Sequence, residues 1–363
     1  MTLTEDSVKA ALKQIQDPVL NKDYVSAREV KAVRIDGHAV AVEIVLGYPA
    51  KSLWKPLQSE LEARLGAALG GAQVSVTVTS TVISHAVQTG VQVLPGVKNI
   101  VAVASGKGGV GKSTVAVNLA LALAAEGATV GILDADIYGP SQPLMLGLQG
   151  QRPQSTDNKT LEPMVAHGIQ AMSIGFLIDV EQPMVWRGPM VTGALQQLLG
   201  DTRWRDLDYL IIDMPPGTGD IQLTLAQKVP VTGAVIVTTP QDIALLDARK
   251  GLKMFEKVNI PILGIVENMS LHVCSKCGHE EPIFGLGGGA SLAKDYQVEL
   301  LGSLPLDIKI REQADSGTPS VAAEPNGRIA EIYKQIARKV AARIAEKAKD
   351  MSAVFPKIVI KNT

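Results

Sequence analysis

The chain reads Gly106-Lys107-Gly108-Gly109-Val110-Gly111-Lys112-Ser113 between an apolar run, Ile100 to Ala104, and a helical run, Thr114 to Ala125. This stretch matches the P-loop pattern G-x-x-x-x-G-K-[ST] at every fixed position. Glycines at these spacings let backbone N–H groups point inward around a phosphate, and the start of the following helix adds positive potential. The pattern therefore predicts that Lys112 contacts the β- and γ-phosphates of a nucleotide and that Ser113 binds Mg²⁺. The alternative is a glycine-rich turn without a ligand.

Strand and helix signals alternate around the P-loop. Near-continuous apolar runs are typical of parallel strands buried on both faces, and helical segments between them supply the crossovers. The runs are Ile100 to Ala104, Thr129 to Leu133, Tyr209 to Ile212, Ala234 to Thr238 and Ile262 to Val266. We therefore predict an α/β fold with a doubly wound, mostly parallel sheet that binds ligands at the carboxyl ends of its strands.

Residues 1–85 have a different pattern, which predicts a small α+β domain. Thr4 is placed to cap a first helix. Alternating apolar and polar residues at 30–35, 39–45 and 74–78 predict three strands, and Lys51 to Leu69 predicts a second helix. Residues 86–98 carry Gly90 and the turn signal Pro95-Gly96, so we predict a linker there and a P-loop domain over residues 99–363. A final helix, about Arg328 to Lys349, is predicted to pack by its apolar stripe.

Composition limits the class of protein. The 363 residues are 46% hydrophobic with a formal net charge of −1, which excludes a disordered chain and a global basic surface for nucleic acid. Only two cysteines are present, so a disulfide scaffold is excluded. The first residues are acidic, unlike a signal peptide, and no apolar run reaches the roughly 20 residues that span a bilayer. We predict a cytoplasmic protein with no nucleic-acid or membrane partner.

Acidic residues follow two of the predicted strands. Asp134 and Asp136 come at the end of one apolar run, and Asp213 comes at the end of another. Carboxylates at strand ends bind Mg²⁺ and its waters, or orient an attacking water. The glycine-rich stretch Met214 to Asp220 predicts a loop that senses the γ-phosphate. One aspartate after a strand is often only a helix cap, so the prediction depends on the set.

Lys107, directly after the first glycine of the P-loop, gives the motif a second lysine. This arrangement resembles the deviant Walker A motif of the MinD/ParA-type ATPases. The resemblance implies an ATP-bound, face-to-face dimer in which Lys107 reaches the nucleotide of the opposite subunit, much as an arginine finger does. It also implies that Asp136 orients the attacking water and that Asn268 contacts the adenine.

Cys274 and Cys277 form a C-x-x-C pair, the spacing of two ligands on one metal. The rival interpretations are a redox dithiol, a single-chain zinc site that adds His272 or His279, and a fortuitous loop pair. A closed tetrathiolate site needs four cysteines, and this chain has two. If Lys107 implies a two-fold dimer, two copies supply four thiolates across the interface. Four sulfurs suit Zn²⁺ or an iron–sulfur cluster, and the ligands alone do not choose between them.

The combination of motifs resembles the Mrp/ApbC family of iron–sulfur cluster carrier ATPases. The matching segments are residues 105–114, 134–141, 213–220, 267–270, the cysteine pair, Phe284-Gly285, 287–289, 305–307 and 315–319. The resemblance implies a homodimer that holds a [4Fe–4S] cluster between the paired Cys274 and Cys277. It implies slow ATP hydrolysis with Mg²⁺, cluster donors, and transfer of the cluster to apoproteins. The first domain resembles a small SufT-like domain, although the stretch Leu46 to Lys51 lacks the cysteine which that family often carries.

Two other functions share this nucleotide site. A positioning switch like MinD or ParA predicts ATP-dependent dimers on a membrane or DNA and no metal. The alternating tail Ala353 to Lys361 does not continue an amphipathic helix, which disfavours the membrane version. A structural zinc dimer predicts zinc alone, whereas the carrier predicts iron with acid-labile sulfide.

Overall fold

A computed structural model describes residues 3–85, 87, 91, 93–155, 157–177, 188–274 and 276–347. The strands are β1 (Val30–Asp36), β2 (Ala39–Leu46), β3 (Gln73–Ser80), β4 (Val97–Ala104), β5 (Val130–Asp134), β6 (Met164–Ala166), β7 (Ile169–Ser173), β8 (Leu207–Asp213), β9 (Gly233–Thr238), β10 (Ile262–Glu267), β11 (His272–Val273), β12 (Glu280–Glu281) and β13 (Leu300–Ser303). The helices are α1 (Glu5–Leu12), α2 (Trp54–Ala68), α3 (Lys112–Ala125), α4 (Gln142–Met145), α5 (Gly188–Asp201), α6 (Asp220–Lys228), α7 (Asp242–Lys257), α8 (Gly288–Asp295), α9 (Ile308–Asp315), α10 (Ser320–Ala323) and α11 (Arg328–Ala345).

In the described part of the chain, the central sheet has eight strands in the order β13-β10-β9-β4-β8-β5-β7-β6. Its strand pairs are parallel except for β6 and β7, which are antiparallel. Strand β4 lies between β9 and β8, so the chain winds outward from it in both directions. A crevice forms at the carboxyl ends where the winding direction changes, and the P-loop follows β4 at that point. The predicted doubly wound, mostly parallel α/β sheet is confirmed.

Residues 3–80 form a three-stranded sheet of order β1-β2-β3 with two helices on one face. Alternate residues of β2, among them Val42 and Ile44, are buried, and α2 buries Leu57 and Leu61 on its facing side. The predicted cap is present, because Thr4 accepts a hydrogen bond from the Ser7 backbone N–H. This element order matches the predicted α-β-β-α-β pattern.

The two parts of the chain meet at a buried ion pair. Glu126, directly after α3, accepts a hydrogen bond of 2.6 Å from Arg338 of α11. Ser52, at the start of the helical stretch before α2, donates to the same carboxylate at 2.7 Å and accepts from Arg338 at 2.9 Å. The N-terminal sheet domain is thereby fixed to the helix that begins at the P-loop.

Two predicted segments differ from the structure. Strand β4 begins at Val97, so the last two residues of the predicted linker, 97 and 98, belong to the sheet. Helix α11 buries Ile336, Val340 and Ile344 of the predicted stripe and ends at Ala345. The region 353–361, in which the sequence predicts alternating apolar and polar residues, lies outside the described residues.

Among the described helices, none combines the length and apolarity needed to cross a membrane.

Candidate nucleotide and thiol sites

The P-loop joins the carboxyl end of β4 to α3 and lines an open cavity of about 250 Å³. Gly109 and Gly111 both have a φ of +80°, a left-handed conformation that glycine adopts without strain. A Cβ on Gly111 would overlap the Asn268 amide, whereas a Cβ on Gly109 meets no atom within 4 Å. Both the left-handed backbone conformation and the contact with Asn268 therefore require glycine at position 111. The cavity is lined by Ser105, Lys107, Gly108, Gly109, Gly111, Lys112, Ser113, Thr114, Asp136, Gly139, Ser141, Met145 and Pro216.

Lys112 and Asp213 form a buried ion pair beneath the loop. The ammonium also donates to Ser113 Oγ at 3.1 Å. Asp213 ends β8, next to β4, so the sheet order brings the predicted acid beneath the predicted phosphate-binding lysine. The three residues that the sequence assigns to phosphate and Mg²⁺ are thus brought together.

Asp134 and Asp136 have different surroundings although they are two residues apart. Asp134 is fully buried and accepts from the backbone N–H groups of Ser141 and Gln142 at 2.9 and 3.0 Å. Burial, with Asp213 nearby, raises the pKa of Asp134 to about 7. Asp136 is half-buried in the cavity wall, and burial raises its pKa as well. Asp134 therefore holds the loop that follows β5, while Asp136 faces the cavity.

Lys107 and Asn268 occupy contrasting positions. Lys107 is half-buried and lines the cavity. Asn268 is buried behind the loop, where its Nδ2 donates to the Val110 carbonyl oxygen at 2.9 Å. The structure thus places Asn268 against the P-loop backbone, outside the set of residues that line the described cavity. The roles that the resemblance implies for both residues stay predictions.

The cysteine pair lies at the tip of a small hairpin. Strands β11 and β12 pair antiparallel, and Cys274 N donates to the His279 carbonyl oxygen at 2.9 Å to continue the ladder. Cys277 is exposed and Cys274 is half-buried. Hydrogen bonds from the backbone N–H groups of Cys277 and Lys276, and from the Cys277 side chain, lower the pKa of Cys274. These donors favour the thiolate, the form that binds metals.

The histidines beside the pair do not complete a single-chain metal site in the described part of the molecule. His272 Nδ1 lies 3.3 Å from the Leu306 carbonyl oxygen. Among the described residues, no group of three or more His, Cys, Asp or Glu side chains is placed to bind a metal ion. The hairpin therefore presents two free cysteine thiols from one chain.

Sequence reasoning missed two residues of the nucleotide site. Ser141 lines the cavity, and the Gln142 side chain donates to Asp213 Oδ2 at 2.8 Å. Both follow Asp136 within six residues, in the segment that returns to the sheet edge. Ser141 ends the matching segment 134–141, but the sequence assigned no role to either residue, because serine and glutamine at these positions belong to no general motif.

Two family models match the chain. The model described as NUBPL iron-transfer P-loop NTPase matches residues 96–341, and the one described as iron–sulfur cluster assembly protein matches residues 5–78. The first covers more than half of the sequence. The second coincides with the N-terminal α+β elements.

Individual relatives agree with these matches. An iron–sulfur cluster carrier protein of Pseudomonas fragi is 67% identical over 69% of this chain and 88% of its own. One of Haemophilus influenzae is 51% identical over 94% of this chain and 92% of its own. A solved nucleotide-binding protein of Archaeoglobus fulgidus, in complex with ADP, is 41% identical over 61% of this chain and 87% of its own, with a TM-score of 0.55. The chain therefore belongs to the NUBPL iron-transfer P-loop NTPase family.

Proposed function

We propose that this protein is an ATP-dependent iron–sulfur cluster carrier. Two copies hold a [4Fe–4S] cluster between their Cys274 and Cys277 thiolates and pass it to apoproteins, with slow ATP hydrolysis at the P-loop. The observation that carries the proposal is the hairpin tip, which presents two accessible thiols, one of them with a lowered pKa, on a P-loop NTPase. The relatives named as cluster carriers support the same cargo.

The nucleotide site supports ATP binding with a divalent cation. The cavity places Lys112 and Ser113 at the start of α3, where the helix terminus favours phosphate. Ser113 Oγ and the Asp213 carboxylate are the oxygen donors that would hold Mg²⁺. When bound, Mg²⁺ neutralises phosphate charge. Asp136, in the cavity wall, is the residue we propose to orient the attacking water, and Lys107 acts on the nucleotide of the opposite subunit.

A homodimer completes the thiol site. A tetrathiolate cluster needs four cysteines, and each chain supplies two. Apolar side chains follow the hairpin directly: Ile283 is 51% exposed and Leu286 is 73% exposed. Exposed apolar groups beside an incomplete ligand set favour a second copy as the partner. We expect Leu286→Asp to weaken the dimer in sedimentation and to lower iron per chain while ATP binding persists.

A short covalent path joins the nucleotide site to the cysteine hairpin. The Asn268 side chain donates a hydrogen bond to the Val110 carbonyl oxygen of the P-loop, and Cys274 follows Asn268 by six residues. Between them, Ser270 N donates to the Leu304 carbonyl oxygen at 2.9 Å, which ties this segment to the sheet edge. A P-loop that adjusts to ATP would therefore shift the base of the hairpin. Such coupling requires that ATP binds two dimer geometries with different affinity.

The N-terminal domain is proposed to dock partners or to regulate the carrier. We assign residues 1–85 to this domain, 86–98 to a linker and 99–363 to the P-loop domain. The described N-terminal residues contain no cysteine, so the cluster ligands lie in the P-loop domain. Thiols that must stay reduced fit a cytoplasmic protein.

The test is anaerobic cluster reconstitution of wild type and of the double variant Cys274→Ala/Cys277→Ala. We expect iron and acid-labile sulfide in the wild type, none in the double variant, and equal ATP binding by both. Lys276→Ala, in the same loop, is the matched control and should retain the cluster. Normal iron and sulfide in the double variant would end the proposal. Zinc alone in the wild type would indicate a structural zinc dimer, and no metal would indicate a positioning switch.

A further inference from the structure

Gln142 links three segments of the nucleotide site. Its side chain is fully buried, and Nε2 donates to Asp213 Oδ2 at 2.8 Å and to the Ser113 carbonyl oxygen at 3.1 Å. Its backbone N–H donates to Asp134 at 3.0 Å. One residue therefore joins the P-loop, the end of β8 and the loop after β5.

The carbonyl oxygen of the same Gln142 amide, Oε1, is an acceptor without a hydrogen-bond partner among the described residues. Oε1 of Gln142 is buried, and no described residue donates a hydrogen bond to it. Exchanging the amide oxygen and nitrogen would place Oε1 against the Asp213 carboxylate, two acceptors facing each other, so the hydrogen-bond network fixes the orientation. Buried acceptors are normally bonded to protein or to water. Among the described residues, Oε1 therefore lacks the partner that a buried acceptor normally has.

A neighbouring group has the same property. Ser141 Oγ is buried, and it too has no hydrogen-bond partner within the described part of the chain. Ser141 lines the nucleotide cavity beside Ser113 and Asp136. Ser141 Oγ is therefore an unsatisfied polar atom at the cavity, and Gln142, the next residue, is buried behind the cavity wall.

Asp213 depends on Gln142 once nucleotide binds. In the structure, Lys112 bonds one carboxylate oxygen of Asp213 and Gln142 bonds the other. If Lys112 turns to the phosphates, Gln142 is the side chain that still fixes the carboxylate, judged from the contacts of the described residues. An anchored carboxylate binds a cation with less loss of conformational freedom.

We propose that Gln142 is a positioning residue for metal-dependent nucleotide binding. Its Nε2 donates to the Asp213 carboxylate and orients this oxygen donor, which is one of those proposed for Mg²⁺. The inference rests on the ATP site described under the proposed function. It assigns Gln142 to the carboxylate that would hold the cation, whereas Lys112 is assigned to the phosphates.

The experiment compares the Kd of a fluorescent ATP analogue in excess Mg²⁺ and in EDTA. Gln142→Met keeps the length and burial of the side chain and removes both polar ends. We expect the Mg²⁺-induced tightening to fall roughly tenfold in this variant, the scale of one hydrogen bond to a charged group, with little change in EDTA. Mn²⁺ binding in the presence of ADP, followed by electron paramagnetic resonance, should weaken by a similar factor. Gln142→Leu repeats the test should the first variant not fold.

Gln170→Met is the matched control, because the Gln170 side chain bonds the backbone of Arg205 and not the nucleotide site. It should leave both Kd values and Mn²⁺ binding unchanged. A purely structural role for Gln142 would weaken binding equally with and without Mg²⁺, and this result overturns the inference. If the wild type itself shows no Mg²⁺-dependent binding, the proposed ATP site fails and the inference fails with it.

Discussion

The Lys112 ammonium lies on the Asp213 carboxylate, and both side chains are buried, at 6% and 0% exposure. Lys112, which is proposed to bind phosphate, is therefore paired with Asp213, which is proposed to bind the metal. Nucleotide binding would exchange this ion pair for two new ones, Lys112 with phosphate and Asp213 with the cation. Once Lys112 leaves Asp213, the carboxylate keeps the hydrogen bond that Gln142 donates to its other oxygen.

Lys112→Met should impair both nucleotide binding and stability. Loss of a charge-assisted bond to phosphate predicts a roughly 100-fold weaker Kd for MgATP. The Asp213 charge would stay buried without its cation, which predicts a loss of about 3 kcal/mol in the free energy of unfolding. Calorimetric titration and urea unfolding measure the two effects.

Lys9→Met is the control for that prediction, since Lys9 pairs with Glu5 on an exposed helix face. Removing such an exposed pair should leave the free energy of unfolding close to the wild-type value. Equal stability of Lys112→Met and wild type would show that the buried ion pair contributes nothing.

The sequence predicted the parts of the site that depend on local pattern. Apolar runs identified the five central strands, and the P-loop motif located Lys112 and Ser113. Pairing across the fold was not predicted: Arg338 meets Glu126 across 212 residues, and no periodicity signals such a contact. Strands β6 and β13 at the two edges of the sheet, and β7 beside β6, were also missed. The edge strands have only three and four residues, too few to show a period.

The two left-handed glycines of the P-loop should differ in their tolerance of alanine. Gly109→Ala introduces only backbone strain, about 1–2 kcal/mol, because its Cβ has open space. Gly111→Ala adds overlap with the Asn268 amide, so we expect a larger loss in the free energy of unfolding and at least tenfold weaker ATP binding. Urea unfolding and ATP titration of the pair measure this difference. Similar losses in both variants would contradict the packing argument.

Glu29 gives the N-terminal domain a specific pH dependence. Burial, with Asp17 nearby, raises the pKa of Glu29 to about 8 from its ordinary value of 4.5. The folded state therefore binds a proton that the unfolded chain releases, and this contribution to stability is lost as pH rises from about 4.5 to 8. Glu29→Gln should match wild type near pH 4.5 and be more stable at pH 8, with the difference growing by at most about 1.4 kcal/mol per pH unit.

Chemical unfolding at several pH values measures the effect of Glu29→Gln. Glu43→Gln, on the exposed face of β2, is the control and should follow the wild-type profile. A difference between Glu29→Gln and wild type that stays constant with pH would mean that Glu29 does not titrate in this range.

Removing one charge of the Arg338–Glu126 ion pair should destabilise the protein strongly, whereas replacing both residues by apolar ones should destabilise it much less. Arg338→Met leaves the Glu126 carboxylate buried with Ser52 as its side-chain donor, which predicts a loss of about 3–5 kcal/mol in the free energy of unfolding. The double variant Arg338→Met/Glu126→Met removes both charges, and we expect it to recover most of that loss because apolar pairs of similar volume pack as well. A double-mutant cycle in urea measures the coupling. If the two single losses simply add in the double variant, the ion pair is not what joins α11 to α3.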